Sequence, residues 1–181
     1  MKKITNTQRI LSLLVLICCG NSVAAASTGI LNVTGSIKLA TCYFDSVEGQ
    51  EHKDYDWMMP QVSVGSLRTA GMTHGRSLGS IHIGGVHCTN GYTPYITLGN
   101  GPTVNADTGN LVNTLIGEAE NVEIRLLMND KPLDLRTAPR VGCAVIVDNR
   151  SQCDIGYEYY ATGRVTPGKV KSAVLFNISY D

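Results

Sequence analysis

The chain carries no excess of charge: fifteen Lys and Arg stand against fifteen Asp and Glu in 181 residues. It lacks a basic stripe interleaved with aromatics, which argues against nucleic acid as a partner. It also lacks a glycine-rich phosphate loop and a His-Glu-x-x-His helix. Asp54, Asp56, Glu118 and Glu120 therefore read as solvated charges, and His52 and His74, in polar sequence, carry no assigned role. Neither an enzyme nor a cofactor is expected. No internal repeat, low-complexity linker or long helical period occurs, although Asn113 to Glu120 could form a turn or two of helix.

What is present begins with an address. Lys2, Lys3 and Arg9 precede an apolar run from Ile10 to Cys19, and Ser22 to Ser27 offers small residues for cleavage. This is the layout of a secretory signal peptide, with cleavage expected after Ala26 and next after Ala24. The apolar run is about half the roughly twenty residues that a membrane-spanning helix needs. Removal of Met1 to Ala26 leaves a mildly acidic chain of a length suited to one domain.

Four cysteines remain: Cys42, Cys88, Cys143 and Cys153. An even set behind a signal peptide implies disulfides in an oxidising compartment. Three connectivities are possible, and sequence order with strand logic favours Cys42 with Cys88 and Cys143 with Cys153. Zinc is disfavoured, because the mature chain has no close cysteine pair and His82, His87 and Cys88 are poorly spaced as ligands.

The body reads as β throughout. Turn signals such as Gly84-Gly85, Thr89-Asn90-Gly91, Gly99-Asn100-Gly101-Pro102 and Asn129-Asp130-Lys131-Pro132 separate short Val, Ile, Leu and Tyr runs. Strands are expected over Leu31 to Ala40, Gln61 to Leu67, Ser77 to Cys88, Tyr95 to Leu98, Val122 to Met128, Ala144 to Val147, Ile155 to Ala161 and Val170 to Tyr180. Many short strands with regular turns suggest a sandwich. In the last of them Val174, Phe176, Ile178 and Tyr180 share one face at period two, and an edge strand of this kind invites a partner chain. Near the mature N-terminus, Gly29, Leu31, Val33, Gly35 and Ile37 share a face, which makes a half-apolar strand with a glycine notch. From pattern alone it could equally be the first strand of its own sandwich.

Several stretches resemble pilin subunits of the chaperone–usher pathway, close to type 1 fimbrial subunits. They are Gly35-Ser36-Ile37 followed by Cys42, Gln61 to Gly65 with Arg68-Thr69, Ala119 to Leu126 with Pro132 to Leu135, and Tyr160 to Gly163 through Tyr180. The most specific is a penultimate tyrosine, Tyr180, paired with Gly168 upstream. The resemblance implies an all-β, incomplete immunoglobulin-like sandwich completed by donor-strand exchange. Residues 27–41 would be the donor extension, with Leu31, Val33 and Ile37 filling a neighbour's groove and Gly35 lying where it is shallow; residues 42–181 would be the pilin domain. Gly168, Val174, Phe176, Ile178, Tyr180 and the terminal Asp181 would form the groove edge that a periplasmic chaperone captures. The implied partners are other pilins, that chaperone and an outer-membrane usher, and the implied location is a surface fimbrium that supports adhesion.

Two features depart from that pattern. Glu48 to Pro60, with Tyr55-Asp56-Trp57-Met58-Met59, is longer and more aromatic than usual and is better read as core than as interface. Cys143 and Cys153 lie outside the shared cysteine pair, flanking Asp148-Asn149-Arg150-Ser151 in an expected hairpin. Alternative readings are a minor or adaptor pilin near the tip or base, or a secreted ligand-binding sandwich that never polymerises.

Overall fold

β-Branched and aromatic runs between turn residues form nine strands among the residues that the computed structural model describes, 42–50, 52–99 and 101–180. The expected donor residues Leu31, Val33, Gly35 and Ile37, and Asp181, lie outside them. The strands are β1 (Tyr43–Phe44), β2 (Thr73–Gly84), β3 (Pro94–Leu98), β4 (Leu111–Val112), β5 (Val122–Met128), β6 (Lys131–Pro132), β7 (Arg140–Gly142), β8 (Arg150–Ala161) and β9 (Phe176–Tyr180). One sheet has the order β1-β2-β8-β5-β4 with β6 paired to β5; the other has the order β7-β3-β9. Every pairing is antiparallel.

The period-two pattern sets which side chains enter the core. Ile81 and Ile83 of β2, Cys153, Ile155 and Tyr157 of β8, and Ile96 and Leu98 of β3 are buried in one cluster between the sheets. Each fully buried aliphatic side chain there contributes about 1.5–3 kcal/mol. A slip of one residue would turn the whole row to solvent, so burial fixes the register. A second cluster, of Leu67, Ala119, Val122, Ala161 and Val165, closes one end of the domain.

Three expected elements take other forms. Gln61 to Leu67 is not a strand: Ser63 Oγ accepts a hydrogen bond from Gly65 N and closes a 3-10 turn over Val64–Ser66, which delivers Leu67 into the second cluster. Ala144 to Val147 divides its backbone bonds between Gln152, Tyr92 and Arg150, so no continuous ladder forms. Asn113 to Glu120 makes turns without helix. The strand expected from Ser77 starts earlier, with a bulge between His74 and Ser77, and ends at Gly84 because Gly85 turns the chain back toward Cys88.

Disulfides join Cys42 to Cys88 and Cys143 to Cys153. The second ties the end of β7, in one sheet, to β8 in the other. Its loop turns back through Asp148 and Asn149, both at positive φ, with Val147 bridged to Arg150. Asn and Asp tolerate that left-handed backbone, which suits a tight hairpin. Among the described residues, no helix is long and apolar enough to cross a membrane.

Candidate functional site: an open groove beside the last strand

The segment from Val170 to Tyr180 is extended, and its residues divide by parity. Odd residues Lys171, Ala173, Leu175, Asn177 and Ser179 are exposed, whereas even residues Val170, Ser172, Val174, Phe176, Ile178 and Tyr180 turn inward. The backbone divides the same way. Lys169, Lys171 and Leu175 carbonyls accept from Ala119 N, Thr114 N and Gly99 N, and the Ala173 carbonyl accepts from Thr103 Oγ1. Because Leu175 bonds Gly99, antiparallel alternation makes Asn177–Thr97 and Ser179–Tyr95 the hydrogen-bonded pairs. The N–H and C=O groups of Val174, Phe176, Ile178 and Tyr180 therefore face the other edge, where no described strand pairs.

The inward side chains of this segment are only half-buried. Inward residues of β8 are buried, yet Val174, Phe176, Ile178 and Tyr180 pack against the core from its margin. They line a groove of about 430 Å³ together with Cys42, Phe44 and Ile83.

The opposite wall is Cys42 to Phe44, Gln50 and His52 to Asp54. Past β1, residues 52–62 make no backbone–backbone hydrogen bond to a described residue. Even so, the segment alternates as a strand does: Lys53, Tyr55, Trp57 and Met59 are half-buried and the residues between them are exposed. Trp57 stacks on Tyr157 with centroids 5.6 Å apart and planes 9° from parallel, and its ring rests over Gly79. Tyr157 Oη donates to the Met58 carbonyl at 3.2 Å. Tyr55, Phe44 and Phe176 meet edge-on or tilted, with Phe44 and Phe176 centroids 5.7 Å apart across the groove. At one end Tyr180 Oη donates to the Cys42 carbonyl at 3.4 Å. Near the other wall Lys53 pairs with Asp45, and Tyr55 Oη reaches Asp45 Oδ1 and the His82 carbonyl. Burial pushes the Tyr180 and Tyr55 hydroxyls above the ordinary tyrosine pKa; for Tyr55 the His82 backbone bond works against that rise.

Gly168 lies where this segment crosses the backbone of Glu118 and Ala119, and a Cβ there would overlap both. The structure thus brings Gly168, Val174, Phe176, Ile178 and Tyr180 onto one segment and places Cys42 and Cys88 at its end. Cys143 and Cys153 sit apart from the groove wall. Sequence reasoning missed Phe44, Lys53 and Tyr55 as the second wall, and the signal for it was the alternation from Lys53 to Met59.

No protein-family model matches the chain. The major fimbrial subunit SMF-1 of Stenotrophomonas maltophilia (strain K279a) is 33% identical over 169 residues, covering 87% of this chain and 95% of that protein. The chain belongs to the fimbrial subunit family. The F17 fimbrial protein of Escherichia coli is 31% identical over 179 residues, 92% of this fimbrial subunit and 94% of that protein. In fold it is similar to a subunit of a solved chaperone–usher pilus, at TM-score 0.58 and 17% identity over 86% of this chain and 96% of that one. The fold is the incomplete immunoglobulin-like sandwich of such pilins. The fimbrial subunit is a structural protein of a surface fibre and not an enzyme.

Proposed function

We propose that the groove of this fimbrial subunit receives the N-terminal segment, residues 27–41, of the next subunit, and that a periplasmic chaperone fills the same groove before delivery to an outer-membrane usher. The resulting fibre supports adhesion. The observation that carries this reading is the last strand: its inward row is half-buried and the backbone groups of that row face an unpaired edge. Strand addition answers both deficits at once, since main-chain bonds fill the edge while alternate side chains fill the groove. On the second wall His52, Lys53 and Asp54 line the groove and make no backbone–backbone hydrogen bond to a described residue, so an inserted strand would have partners on both sides. Leu31, Val33 and Ile37 would enter the groove, and Gly35 would pass a point too shallow for a side chain. Asp181 would offer a carboxylate to basic chaperone groups.

The test is periplasmic expression of the mature chain with and without a pilus chaperone, followed by size exclusion. A one-to-one complex with little soluble free subunit is expected. A stable soluble monomer would sink the reading. Gly35→Leu should leave the chaperone complex intact and stop polymerisation, and removal of residues 176–181 should abolish chaperone capture.

A further inference from the structure

Four apolar side chains project into solvent at the two ends of the last strand, and the groove does not use them. At the Cys42 end, Val86, Val145 and Val147 are 74%, 50% and 64% exposed. The loops that carry them are hydrogen-bonded to one another. The Cys42–Cys88 disulfide holds the loop carrying Val86, Gly85 N donates to the Asn149 carbonyl, Ile146 N donates to the Tyr92 carbonyl, and Asn149 N donates to Asn90 Oδ1 at 2.7 Å. The hairpin that presents Val145 and Val147 is closed at its base by Cys143–Cys153. At the far end Ile116 is 101% exposed, on the loop whose Thr114 N and Ala119 N bond the Lys171 and Lys169 carbonyls. The ten steps from Val170 to Tyr180 separate these ends by roughly 33 Å at about 3.3 Å per residue.

We infer that the Val86–Val145–Val147 surface docks against the Ile116 loop of the neighbouring copy of this chain in the fibre. The inference rests on the strand-exchange reading above. If residues through Ile37 lie in the neighbour's groove, the chain between Ile37 and Cys42 spans at most roughly 17 Å. The Cys42 end of one subunit is then held against one mouth of its neighbour's groove. Which mouth follows from symmetry. Meeting at the neighbour's own Cys42 end would bring like ends together, whereas an open polymer needs a heterologous, head-to-tail contact. The mouth beyond Val174, toward Lys171, is the one left, and the loop bearing Ile116 bonds the Lys171 and Lys169 carbonyls on that side. This gives the second disulfide a role: it keeps the hairpin that bears two of the three valines in a fixed shape for docking.

The test is cross-linking in assembled fibres. The double variant Val147→Cys with Ile116→Cys is assembled through the chaperone and usher, mildly oxidised, heated to separate strand-exchanged subunits, and run without reductant. A ladder of dimers, trimers and longer species is expected, and it should be absent from each single variant and from Val147→Cys with Leu78→Cys. Fibres of the double variant that collapse wholly to monomer overturn the docking surface while leaving strand exchange standing. Fibres that form unimpeded from the Gly35→Leu variant overturn strand exchange, and the docking inference with it. If the cysteines impair export, Val147→Lys should reduce fibre yield and Ile116→Glu in the same chain should restore it; unchanged yield with Val147→Lys alone counts against the surface.

Discussion

Trp57 and Gly79 form an interlock whose energetics can be measured. A half-buried Trp57→Ala should cost less than the 3–5 kcal/mol of a fully buried ring, so about 2–3 kcal/mol, of which the stack on Tyr157 supplies about 0.5–1.5. Gly79→Ala places a methyl in the space the indole occupies, lifting it from Tyr157, and should cost about 1–3 kcal/mol as an overpacking change. With Trp57 already removed, the methyl meets open space. The double variant should therefore be no less stable than Trp57→Ala alone, which gives a coupling of about 1–3 kcal/mol. Urea unfolding of the subunit complemented by a peptide of residues 27–41 measures the cycle. Because Trp57 is the only tryptophan, its fluorescence reports the displaced ring directly. Additive costs in the double variant, or an unchanged emission and midpoint in Gly79→Ala, would refute the interlock.

Gly168→Val should push the last strand off the Glu118–Ala119 backbone and abolish chaperone complex formation in pull-down, whereas Lys169→Ala should leave it intact. Tyr180, Tyr159 and Tyr55 are held above the ordinary value of 10.0 by burial, so the folded state retains protons that the unfolded state releases. Their contribution is complete below pH 10 and is lost as pH rises through the higher folded values; alkaline melts should show this fall, and Tyr180→Phe should make it shallower. Replacing both Cys143 and Cys153 by Ser should cost about 2.8 kcal/mol in the loop-entropy view, against about 4 for Cys42 and Cys88, readable as the difference between two urea midpoints.

The strands legible in the sequence are those in which one physical cause dominates. Val122 to Met128 is central and rich in Val, Ile and Leu, and the expected strand from Val170, which pairs as β9 only from Phe176, shows its alternation openly there because its inward row is Phe176, Ile178 and Tyr180. The second groove wall was harder to read. Its inward row begins with Lys53, whose ammonium stands over the Tyr55 ring, 5.2 Å from its centroid, and pairs with Asp45, so a charged residue occupies an inward position. Glu123 misleads in the opposite sense. A carboxylate on the outer face of a strand reads as solvated, yet it is buried by the loop from Asn105 to Asn110, where Thr108 Oγ1 and Asn110 Nδ2 donate to it at 2.7 and 3.0 Å. Partners that come from another part of the fold leave no local period to detect.

The parity of the last strand also limits how its length can vary. Gly168 and Tyr180 are an even number of positions apart, one fixed by the backbone it crosses and the other by its bond to Cys42. Inserting or deleting one residue between them would exchange the two rows, turning Lys171 and Asn177 into the groove and Phe176 and Ile178 toward solvent. Insertion of two would lengthen the segment yet keep every remaining side chain on its own face. Variation in this stretch should therefore come in pairs of residues, a rule that sequence surveys of fimbrial subunits can check by length alone.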